Sequence, residues 1–111
     1  MQHCNIVINK NDLYLEGVIN FDNAKRIMLL GCQFIDPLLE ININLKNLKA
    51  SDSSGLAVIS AWCRYANIHK KILSIHEMPK FLFDLSLVSG LDKVFTIVSH
   101  SNLLSNNEKF V

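Results

Sequence analysis

The feature that most constrains this chain is the junction Leu48-Lys49-Ala50-Ser51-Asp52-Ser53-Ser54-Gly55-Leu56-Ala57, where a strand-like pattern gives way to a helical one. Upstream, after Pro37, the run from Leu38 to Leu45 alternates apolar Leu39, Ile41, Ile43 and Leu45 with polar residues, the period of a strand with one buried face. Downstream, from Ser53 to Asn67, apolar residues recur at helical spacing. A helix start leaves backbone N–H groups without intrahelical partners, and Asp52, Ser53 and Ser54 all carry short oxygen-bearing side chains able to accept from them. Capping needs one such residue; three of them followed by Gly55 exceed that need. The positive end of the helix dipole also favours an added negative charge, so the junction is a candidate docking point, phosphorylation switch, or both.

The flanking pattern makes this junction one step of an α/β alternation. Asn5 to Asn9 and Asp12 to Gly17 alternate around Lys10-Asn11, predicting a two-stranded hairpin. Phe21 to Cys32 reads as a first helix with Asp22 or Asn20 as cap and Gly31 near its end. In the second helix, Leu56, Ile59, Cys63 and Ala66 form the core stripe. Val58, Trp62 and Tyr65 widen the apolar arc enough to suggest a partner-facing flank, and Ala57, Ser60, Ala61, Arg64 and Asn67 form a small-residue face. Ile72 to Ile75 is a further strand, and Pro79 at the first helical position opens a third helix that stops at Gly90. Val94 to Val98 predicts a last strand, and Ser101 caps a short final helix with Leu103 and Leu104. The fold class expected is α/β: a mixed sheet of four to five strands packed with about four helices, in one domain over residues 1–111.

Composition narrows the function classes. Eleven Lys and Arg against ten Asp and Glu give no field that would attract nucleic acid or an anionic membrane. No apolar run approaches the ~20 residues of a membrane span, and the N-terminus has no leader pattern, so a cytoplasmic protein without direct membrane insertion is expected. Cys4, Cys32 and Cys63 are far apart and odd in number, which reads as reduced thiols rather than disulfides. His3, His69, His76 and His100 are dispersed without ligand spacing, so no metal is expected. With four glycines and neither a phosphate-binding P-loop nor a dinucleotide fingerprint, no cofactor and no enzymatic activity are expected.

Asp52-Ser53-Ser54-Gly55-Leu56 after an apolar strand, followed by Pro79…Phe81-Leu82…Ser89-Gly90-Leu91…Val94-Phe95, resembles a STAS domain over nearly the whole chain. The resemblance implies helices packed on a mixed sheet and two functional branches. In anti-sigma factor antagonists the serine after the Asp, here Ser53, is phosphorylated by a kinase that is also the anti-sigma factor. In the MlaB-type subunit of the Mla phospholipid ABC transporter, the matching position contacts the ATPase subunit. Trp62-Cys63-Arg64-Tyr65-Ala66 and Asn20-Phe21-Asp22-Asn23-Ala24…Leu29-Leu30-Gly31 resemble the transporter branch, and Asn20 stands where antagonists commonly carry an acidic residue.

The leading expectation is therefore a non-catalytic accessory subunit of a phospholipid ABC transporter that maintains lipid asymmetry. It would be held at the inner membrane of a Gram-negative bacterium through the ATPase. Asp52, Ser53, Ser54, Gly55, Ala57, Ala61 and Arg64 are the partner-binding residues expected. The alternative is an anti-sigma factor antagonist switched by phosphorylation at Ser53, with an anti-sigma factor kinase as partner.

Overall fold

The computed structural model describes residues 3–90. The expected strand at Val94–Val98 and the short helix after Ser101 lie outside the described residues. Strands β1 (Cys4–Asn9) and β2 (Asp12–Ile19) form the anticipated antiparallel hairpin, in register from Cys4↔Gly17 to Asn9↔Asp12. Its two-residue turn places Lys10 at φ 58°. Gly17 is required where it stands: φ is 104°, and a Cβ there would lie 2.2 Å from the His3 carbonyl oxygen.

Helix α1 (Ala24–Ile35) starts and ends later than its periodicity suggests. The Asn20 side-chain oxygen accepts from the backbone N–H of Asp22 and Asn23, at 2.9 and 3.2 Å. Asn23 answers, accepting from the Asn20 N–H at 3.0 Å and donating to the Val18 carbonyl at 2.9 Å. These bonds build a turn in front of the helix, so neither Asp22 nor Asn20 is its N-cap. Asn23 occupies that position without a side-chain cap bond, and Phe21 is left outside, 76% exposed. Nor does Gly31 end the helix. It is buried in the middle, where a Cβ would come within 2.3 Å of the Trp62 ring. The glycine lets the indole lie against the α1 backbone, and Trp62 Nε1 donates to the Met28 carbonyl at 2.9 Å.

Strand β3 (Glu40–Asn44) runs parallel to β2 with Ile41 and Ile43 facing in, whereas Leu39 lies just before it and is exposed. A separate short strand, β4 (Leu48–Ser51), follows. It pairs parallel with the far end of β2 past an irregularity at Gly17/Val18, so one edge of β2 serves both β3 and β4. Helix α2 (Ser53–Ile68), strand β5 (Ile72–His76) and helix α3 (Lys80–Ser89) complete the described residues. Pro79 is the N-cap of α3 rather than its first helical residue, and Gly90 closes it in the left-handed region at φ 75°. The result is a mixed five-stranded sheet ordered β1-β2-β3-β5, with β4 beside β2, and three helices among the described residues.

Leu13, Leu15, Ile41, Ile43 and Ile75 from the sheet share one core with Ile27 and Ile35 of α1 and Leu56, Ile59 and Ala66 of α2. Val58 and Trp62 belong to this core too, 3% and 0% exposed, which corrects the expectation that they flank a partner surface. At Trp62 that side of α2 is closed by α1, whereas the buried Val58 also borders the space between the two helices. Farther along the same contact, the Tyr65 hydroxyl donates to Asp36, and that bond pushes the phenol up to about 12. Lys71 Nζ secures the chain leaving α1 through the Asp36 and Leu38 carbonyls, at 2.7 and 2.6 Å. Trp62 and Tyr65 of α2 thus meet successive turns of α1, and the two helices run in the same direction.

Candidate functional site

Asp52 is the N-cap of α2, in extended backbone, and its carboxylate accepts from the Ser54 N–H at 2.8 Å and from the Ser54 hydroxyl. Asp52 and Ser54 therefore satisfy each other and the helix start, with Ser54 6% exposed. Gly55 is buried on the opposite side, where a Cβ would lie 1.9 Å from Ser51 Oγ and 2.9 Å from Ser51 Cβ. Its lack of a side chain lets β4 turn directly into α2. Ser51 Oγ in turn donates to the Asp52 carbonyl at 2.7 Å.

Ser53 differs from these neighbours. It is exposed, and its hydroxyl makes no hydrogen bond among the described residues. It stands at the mouth of a groove of about 400 Å³ between the first turns of α1 and α2. One wall consists of Ser53, Ser54, Ala57, Val58 and Ala61 of α2, and the other of Phe21, Ala24, Lys25 and Met28 at the start of α1. The groove exists because the helices are drawn together further along, at Gly31–Trp62, while alanines face the gap near their N-termini.

Of the predicted site residues, the structure brings Ser53, Ser54, Ala57 and Ala61 to this one groove. Asp52 stands beside it as the cap, and Gly55 faces inward as part of the junction's packing. Arg64 is exposed on α2 but does not line the groove. Ser60, assigned to the small-residue face, is 2% exposed and buried within the fold. Sequence reasoning missed the α1 wall. Phe21 and Lys25 were readable only as parts of a first helix, and nothing local indicates that they face a segment nearly thirty residues away.

Neither a protein-family model nor a curated protein sequence matches the chain. Solved structures do match. An anti-sigma factor antagonist from Mycobacterium paratuberculosis superposes with TM-score 0.67 at 16% identity, over 93% of this chain and 88% of that one. The anti-sigma factor antagonist SpoIIAA in its unphosphorylated form gives 0.64 at 13% identity, over 92% and 90%. The Bacillus cell fate determinant SpoIIAA in its phosphorylated form gives 0.62 at 13% identity, over 92% and 93%. The chain has the STAS fold of these proteins. They also overturn the transporter expectation: these three are structures of anti-sigma factor antagonists, and nothing in them points to a phospholipid transporter subunit or its ATPase. The Trp62-Cys63-Arg64-Tyr65-Ala66 segment that suggested a transporter has a packing cause instead, since Trp62 fills the space left by Gly31 and Tyr65 binds Asp36.

Proposed function

We propose that the chain is a non-enzymatic regulator of the anti-sigma factor antagonist type. It binds a protein partner, an anti-sigma factor kinase, through the start of α2 and the adjoining groove, and phosphorylation at Ser53 switches that binding. The observation that carries this reading is the division of labour at the junction. Asp52 and Ser54 complete the cap, and the exposed hydroxyl of Ser53 is left over. The fold shared with SpoIIAA, a protein known in phosphorylated and unphosphorylated forms, supports it. In the switch, Ser53 Oγ attacks the γ-phosphorus of ATP held by the kinase, losing its proton as ADP departs. A neutral hydroxyl becomes a group of charge about −2 at the docking surface. Ala57 and Ala61 let the partner approach the α2 backbone, and the apolar groove receives a side chain from it. Free Cys4, Cys32 and Cys63 fit a reducing cytoplasm as the place of action.

The test is intact-mass spectrometry after incubation with ATP and a soluble extract of the source organism. One added phosphoryl group, mapped to Ser53 and absent in Ser53→Ala, is the expected result. Phosphate on another residue, or none, overturns the reading.

A further inference from the structure

The groove beside Ser53 contains one charged side chain. Lys25 rises from the first turns of α1 on the wall facing Ser53, and every other lining residue is apolar or a serine. Lys25 is exposed and has no ion pair or hydrogen bond among the described residues, where Lys80–Asp84 is the sole salt bridge. Its ammonium sits on a flexible four-carbon stem, suited to reaching across a gap rather than to fixed bidentate contact.

A phosphoryl group on Ser53 would need such a cation. The adjacent Asp52 carboxylate is held at the helix start by its bonds to Ser54, so it cannot turn away from a new dianion without uncapping α2. Asp22, next in the chain to the groove-lining Phe21, is a second exposed carboxylate. The helix dipole offsets part of this repulsion, but its effect is worth only a fraction of a charge and fades within one turn. Lys25 is the cation on the facing wall.

We infer that Lys25 is the counter-cation of phosphorylated Ser53, pairing with the phosphate across the mouth of the α1–α2 groove and closing it to the partner. The inference rests on the reading of Ser53 as the modified residue and adds how the charge acts. Besides repelling the partner, the phosphate recruits a lysine from another helix and covers the apolar surface where the partner docks. The unmodified groove stays open because Lys25 has nothing there to hold it.

The experiment requires no kinase. Phosphoserine is installed at position 53 during translation, and the phosphate is titrated by phosphorus NMR in the wild-type chain and in Lys25→Gln, with Lys49→Gln as a control lysine away from the groove. The second ionisation of a free phosphoserine lies near pH 6. An ion pair with Lys25 lowers it, so Lys25→Gln is expected to raise the midpoint by about half a pH unit while Lys49→Gln leaves it in place. The Met28 methyl resonance, inside the groove, should shift on phosphorylation in the wild type and not in Lys25→Gln. Equal midpoints in wild type and Lys25→Gln, or an equal shift in both lysine variants, overturns the inference. The two readings fail separately. A silent titration with Ser53 phosphorylated by the native kinase removes only the Lys25 pair, whereas a clear Lys25 effect with no native phosphorylation removes only the switch.

Discussion

The two sides of α2 are built on opposite rules. On the inner side the large side chains are fixed by volume: Ile59 and Trp62 have no exposed surface, and Gly31 opposite is a glycine because the indole occupies the place of its side chain. On the groove side Ser53, Ala57 and Ala61 are small and touch little. The contrast separates what holds the helix from what it presents. Packing at Trp62 sets the distance between α1 and α2, and the groove is the space left where the side chains become small. Docking chemistry can therefore change at Ser53 or Lys25 without disturbing the core, while a change at Trp62 would alter the groove from behind.

The strongest way to break this division is Trp62→Ala. It removes the largest core side chain and the bond to the Met28 carbonyl, and the expected loss is about 3–5 kcal/mol in chemical denaturation. A loss below about 1 kcal/mol would mean that α1 and α2 are held by something other than this contact. Gly55→Ala comes next. Its methyl collides with both Ser51 Oγ and Ser51 Cβ, and the expected cost is about 1–2 kcal/mol despite the better helix propensity of alanine. Ser51→Gly in the same chain should recover most of it, because that substitution removes both colliding atoms. Asp52→Ala is smaller, about 1 kcal/mol, from the lost cap bond to the Ser54 N–H. Thermal melts should show this loss in Asp52→Ala and not in Ser53→Ala, because Asp52 alone makes the cap bond to a backbone N–H.

These differences also explain which parts were legible in the sequence. The hairpin, β5 and the start of α2 follow from patterns only a few residues long and appear where those patterns place them, and β3 occupies Glu40–Asn44 inside the longer run expected from Leu38 to Leu45. Strand β4 was hidden because Leu48-Lys49-Ala50-Ser51 is only four residues long, too short for its alternation to stand out from a loop. The late start of α1 depends on bonds exchanged between Asn20 and Asn23, which the same residues could have replaced by an ordinary cap. Burial of Trp62 is set by Gly31, and a glycine inside a helical pattern reads locally as a stop. The candidate site was half visible for the same reason. Its α2 wall is one contiguous motif, whereas Phe21, Lys25 and Met28 join it only through the packing of two helices.

Ser53→Ala is the smallest change in stability and the sharpest test of the contrast. Ser53 lies between Asp52 and Ser54, whose mutual bonds it does not share, and it buries no surface that the fold needs. Its replacement should leave the unfolding free energy within about 0.5 kcal/mol of the wild type, the range of an ordinary surface substitution. Ser54→Ala, one residue away, removes a buried hydroxyl bonded to the capping carboxylate and should cost more. If the order is reversed, so that Ser53→Ala destabilises and Ser54→Ala does not, then Ser53 serves the helix start and is not surplus to it. The groove side of α2 would then be structural throughout, and the case for a modifiable residue at the junction would lose its physical basis.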